Sequence, residues 1–160
     1  MYIHTYRRQT ITTIVADLRE GALYGDTFTG YGVVDKLWRG RGKSGIFGAA
    51  GHDTVIARFQ AHVVEGKKKP DQIISADDDR ESFWALQMTC DGRLLVWGEA
   101  MRAEPILSLY WAIGSGGDAA IAAMKAGAPP QRAIEIAAEL DRNTKPPFTK
   151  LYLRKQPCER

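Results

Sequence analysis

TTIVADLREGALYGD, residues 12–26, is a β-branched run, an Arg-Glu-Gly turn at 19–21, and a second short apolar run. Threonine, isoleucine and valine fit a pleated, half-buried surface and the glycine supplies the turn, so the stretch predicts a β-hairpin. A second pair of strands is expected at Val33–Trp38 and Gly45–Ala49, joined by the basic turn RGRGKS at 39–44.

Downstream, the period changes. A helix is predicted from Gly51-His52-Asp53, with Asp53 capping its N–H groups, Val55, Ile56, Phe59 and Val63 on its buried face, and Gly66 at its end. Residues 66–82, GKKKPDQIISADDDRES, are polar and charge-blocked and read as an exposed connection. Strands Phe83–Thr89 and Leu94–Gly98 should flank the turn Cys90-Asp91-Gly92-Arg93, and Leu107–Ile113 is a further apolar run. GSGGDAAIAAMKAG (114–127) is a helix whose small residues allow very close packing. Pro129-Pro130 opens another helix through QRAIEIAAELD, and Phe148–Leu153 is the last strand. Strands, helix, strands, two helices, strand is an α+β order.

The 160 residues suffice for one core, here placed at 12–155, with residues 1–11 as a leader or arm and 156–160 as a tail. The net charge of +3 is small and dispersed, which argues against nucleic acid as a partner. Cys90 and Cys158 lack the spacing of a disulfide framework or a zinc site, and no cofactor or metal is expected. The N-terminal stretch MYIHTYRRQTITT has no apolar core and no later run is long enough to span a membrane, so a cytoplasmic protein of a bacterial or phage-infected cell is expected.

Several stretches, taken in order, resemble the landmarks of the proteasome β-subunit and HslV peptidase family. They are TTIV at 12–15, the approach from Gly21 to Asp26, the lone lysine of VDKLW, GAAGHD at 48–53, AIGSGGDAAIAAMKAG, and AIEIAAELD. DGRL at 91–94 and AIGSG at 112–116 resemble the phrasing of short bacterial and phage-type members. The resemblance runs from residue 12 to about 153 and implies an Ntn-hydrolase four-layer αββα sandwich. It further implies Thr12 as nucleophile, Asp26 and Lys36 as its charged partners, Gly48 as the oxyanion N–H, and Ser115 beside the amine. The partners it implies are further copies of the chain in a ring, a peptide or unfolded protein substrate, and an ATP-dependent unfoldase.

The chemistry fits those residue types. A threonine hydroxyl is a weak nucleophile, activated in such enzymes by the residue's own α-amine, whose ordinary pKa is about 7.7–8.0. A lysine beside the hydroxyl favours its deprotonation, and a preset N–H donor holds the oxyanion. Thr12, however, follows Ile11, where self-processing relatives carry glycine, and Thr10 would restore the family's spacing to the acidic residue. Two readings therefore stand: a threonine peptidase active once residues 1–11 are removed, or an inactive homologue serving assembly. An N-terminal-nucleophile amidase for small molecules is a third. GRGKSG at 40–45 lacks the first glycine of a phosphate-binding loop, His52 reads as a helix-terminal histidine bonded to backbone, and Asp77–Asp79 as an acidic surface loop.

Overall fold

The computed structural model describes residues 12–29, 32–73 and 83–154. The leader 1–11, Thr10 within it, Asp77–Asp79, Cys158 and the tail 156–160 lie outside the described residues. The described residues form a mixed α/β fold with two larger antiparallel sheets and three α-helices.

The predicted hairpin is β1 (Thr13–Asp17) and β2 (Ala22–Asp26), turned at Gly21 with φ +64°. Both strands are buried throughout, their apolar side chains packed on one face or the other and Thr13, Asp17 and Asp26 hydrogen-bonded. The two-residue strands β3 (Phe28–Thr29) and β4 (Gly32–Val33) form a small ribbon. The expected Val33–Trp38 strand is interrupted there, and pairing resumes as β5 (Leu37–Arg39) against β6 (Ile46–Gly51). Asp35 produces the break by accepting the Leu37 N–H on its own carboxylate, a local bond that competes with a ladder.

Helix α1 (Asp53–Gln60) starts as expected, but its cap is His52, whose Nδ1 accepts the Thr54 N–H at 3.4 Å, rather than Asp53. A π-helical turn over Ala61–Glu65 carries it to Gly66, where φ +73° ends it. Then come β7 (Phe83–Met88), β8 (Leu94–Trp97) and β9 (Ala103–Pro105), the last not foreseen. β10 (Tyr110–Gly114) starts later than the apolar run suggested. The described residues continue with α2 (Gly117–Lys125), α3 (Pro130–Leu140) and β11 (Phe148–Tyr152).

One sheet has the order β10-β1-β2-β11 and the other β5-β6-β7-β8-β9. Between them lies a core of Ile14, Leu23, Leu37, Ile46, Leu86 and Met88. Val15, Tyr24 and Ala112 of the first sheet pack on α2 and α3, whose Ala120, Ala123, Ala133 and Ala137 let the helices approach closely. Phe47, Ala49 and Phe83 of the second sheet pack on α1, with Phe59 against Phe47, Phe83 and Trp97 at centroid distances of 5.9, 5.0 and 5.2 Å. Such ring pairs add about 0.5–1.5 kcal/mol each beyond their burial. Among the described residues, no helix is long and apolar enough to cross a membrane.

Candidate functional site

Three of the residues singled out from the sequence converge where β1 begins, β2 ends and β5 is about to start. Thr12 directly precedes β1, Asp26 closes β2, and Lys36 precedes β5; all three are buried. Lys36 Nζ donates to Thr12 Oγ1, and also to Asp26 Oδ1 at 3.1 Å. The carboxylate accepts two backbone donors as well, the Lys145 N–H at 3.4 Å and the Thr13 N–H. Alternation along β1 explains the placement: Ile14 faces the inter-sheet core, so Thr12 faces the same side while Thr13 faces the helices.

Burial dominates the electrostatics of the pair. It pushes the Lys36 ammonium below the usual lysine value, opposed by Asp26 and, more weakly, by Asp53. It pushes the Asp26 carboxyl up, opposed by Lys36 and the two N–H groups. Lys36 is thus easier to deprotonate than a solvated lysine, and it is held against a hydroxyl.

A second network, on the other side of β1, was not foreseen beyond Ser115. The Gly116 N–H donates to Thr13 Oγ1 at 2.9 Å, and Thr13 Oγ1 lies 2.6 Å from Thr144 Oγ1. Thr144 Oγ1 donates to Asp141 Oδ2 at 2.7 Å, which uses its one proton, so Thr13 is the donor to Thr144. Ser115 Oγ donates to the same Asp141 oxygen at 2.6 Å, and the Asn143 N–H donates to Oδ1 at 3.2 Å. Burial raises the Asp141 carboxyl, but the hydrogen bonds from Ser115, Thr144 and Asn143 outweigh it and hold the group below its ordinary value. The available signal was DRNT at 141–144, an Asp closing a helix with a hydroxyl three residues on, a spacing suited to side chain–backbone turns.

Ser115 joins the two networks through the backbone, its N–H donating to the Thr12 carbonyl at 3.0 Å. Gly48 is not part of either. It sits inside the ladder opposite Leu37 and Leu86, and a Cβ there would come 2.7 Å from Ile14 Cγ2 and 2.9 Å from Leu37 Cδ2. The neighbouring Ala49 N–H bonds the Lys36 carbonyl at 3.2 Å, so strand alternation turns the Gly48 N–H toward β7.

No family model matches the sequence, and no curated protein matches it. Among solved structures, the fold is similar to that of Anbu (ancestral beta-subunit) from Yersinia bercovieri, with a TM-score of 0.60 over 89% of this chain and 81% of that one. At 11% identity the likeness carries the fold alone: two antiparallel sheets with helices, arranged as in that protein.

Proposed function

We propose that this chain is a threonine-type hydrolase subunit acting on peptide bonds once Thr12 is N-terminal. The observation that carries the reading is the buried Thr12 Oγ1, Lys36 Nζ, Asp26 array at the start of β1. A hydroxyl, an ammonium and a carboxylate excluded from water make poor packing material, because desolvating charge in a protein interior costs several kcal/mol per ion, which pairing only offsets. On this reading the two sheets and their flanking helices form a four-layer αββα sandwich. The chain associates with copies of itself, a reading supported by the neighbour's description as a beta-subunit.

Thr12 Oγ1 attacks the peptide carbonyl carbon while its proton passes to the free Thr12 amine, and the ammonium of Lys36 stabilises the developing alkoxide. Collapse of the tetrahedral intermediate breaks the C–N bond. The leaving nitrogen takes the proton, and water then hydrolyses the ester to regenerate the hydroxyl. Asp26 anchors Lys36. Asp141, with Ser115 and Thr144, holds the turn whose N–H fixes the Thr12 carbonyl. Gly48 is given a packing role, admitting Ile14 and Leu37 between the sheets.

A second reading is favoured by a fact of the sequence. In the chain as written, Thr12 is joined to Ile11 and its nitrogen is an amide, which cannot take the proton. An inactive homologue retaining residues 1–11 would keep the array as a relic. Intact mass before and after treatment with a threonine-directed electrophile separates the two. A chain beginning at Thr12 that gains one adduct, lost in Thr12→Ala, supports the hydrolase. A full-length chain that gains none, even after residues 1–11 are removed, rules the hydrolase out.

A further inference from the structure

An apolar groove of about 700 Å³ opens between the sheets beside Gly114. It is lined by Trp84, Val96, Leu107, Trp111, Gly114 and Gly117, among others. For a small domain this is an unusual display: Leu107 is fully exposed, and Trp84 and Trp111 are 45% and 37% exposed. The indole of Trp84 lies across Gly98, where a Cβ would come 3.2 Å from the ring.

The groove adjoins the strand that pairs with the start of β1, although Thr12, Asp26 and Lys36 do not line it. Gly114 pairs with Thr13 across the β1–β10 ladder, and the next N–H, that of Ser115, bonds the Thr12 carbonyl. On the facing sheet, Lys36 meets Ala49 through its carbonyl, and the adjacent Ala50 pairs with Trp84. Lys36 and Trp84 are therefore two strands apart, roughly 10 Å at the usual strand spacing. β10 is the edge strand of its sheet among the described residues, so its outer backbone groups are free of a ladder partner on that side. An extended peptide could lie along it.

Resting on the hydrolase reading above, the geometry points to this groove as a specificity subsite that takes a large apolar side chain of the peptide, adjacent to the scissile bond. Charge selects in the same direction. Asp118 is the one charged residue among the groove's described lining, so the site accepts neutral or basic side chains and repels acidic ones. Leu107 and Trp111 supply the contact area.

The test uses the chain beginning at Thr12 and internally quenched peptides that vary on either side of the cleaved bond. Phe or Leu at one flanking position should exceed Asp or Glu there by about tenfold or more in kcat/KM. Trp111→Ala and Leu107→Asp should each erase most of that preference, with circular dichroism showing that both variants are folded. An adduct with no such preference, or a preference that survives both substitutions, overturns the subsite and leaves the hydrolase reading standing. A wild-type protein that forms no adduct overturns the hydrolase reading and the subsite with it. If Leu107→Asp instead lowers the native mass from oligomer to monomer with the preference unchanged, the groove belongs to a second copy and the subsite is overturned.

Discussion

The carbonyl of Thr12 occupies the space that a Cβ on Gly114 would need, and Gly114 has φ +92°, so both the backbone conformation and the neighbour require glycine there. Gly114→Ala should cost about 1–3 kcal/mol from the left-handed conformation alone, with the clash adding to it. In a domain of this size each kcal/mol shifts Tm by roughly 2–4 °C, so a fall of several degrees is expected in a thermal melt. A melt unchanged within a degree would mean that β10 slides away from Thr12 freely.

Lys36 and Asp26 make the fold's response to pH unusual. For Asp26, raised by burial, the folded protein keeps a proton that the unfolded chain releases, so stability falls as pH rises from the ordinary carboxylate value to the raised one. For Lys36, lowered by burial, the folded protein has lost a proton that the unfolded chain keeps, so stability rises with pH from the lowered value to the ordinary one near 10.5. Urea midpoints for Asp26→Asn/Lys36→Met should lack both slopes. The double variant should match or exceed wild type by about 1–4 kcal/mol near neutrality, whereas Lys36→Met alone, leaving the carboxylate unmatched, should lose about 3–5 kcal/mol. A double variant as damaged as the single one would refute this account.

Thr13 should behave differently from Thr12. Thr13→Val leaves the buried Gly116 N–H without its acceptor and Thr144 without a donor, at a cost of about 1–3 kcal/mol read from denaturant midpoints. Thr12→Val should spare the helix side of the sheet, so hydrogen-exchange protection at Gly116 should fall in the first variant and not in the second. Equal protection in both would remove the proton chain from Gly116 to Asp141.

How much of this was legible beforehand depended on the range of the interaction. The β1–β2 hairpin, the buried face Val55, Ile56, Phe59 of α1, and the small-residue helices α2 and α3 follow from local period and turn chemistry, and the structure has them. His52 bonds the helix backbone as its reading from the sequence has it, but the cap expected at Asp53 falls to it, and the break at Asp35 was missed, because side chain–backbone bonds compete with the pattern over one or two residues. β9 is three residues long and carries no alternation. Of the site, Thr12, Asp26, Lys36 and Ser115 came from the resemblance. Asp141 and Thr144 did not, since their partner Thr13 lies some 130 positions away and only the folded chain brings them together.

A chain made to begin at Thr12 should show a bell-shaped pH dependence for electrophile addition. On the acid side, the rate climbs as the Thr12 α-amine, ordinarily near 7.7–8.0, gives up its proton and becomes able to accept that of the hydroxyl. On the alkaline side, it falls as Lys36 loses the charge that stabilises the alkoxide, and burial places that limb below the ordinary lysine value. Lys36→Met should remove the alkaline limb and slow addition at every pH, while Thr12→Ser keeps the bell and Thr12→Ala abolishes the adduct. Acetylating the Thr12 amine should abolish the acid limb together with most of the rate. A rate indifferent to acetylation would show that the amine is not the base, and the resemblance to N-terminal nucleophile chemistry would end at the fold.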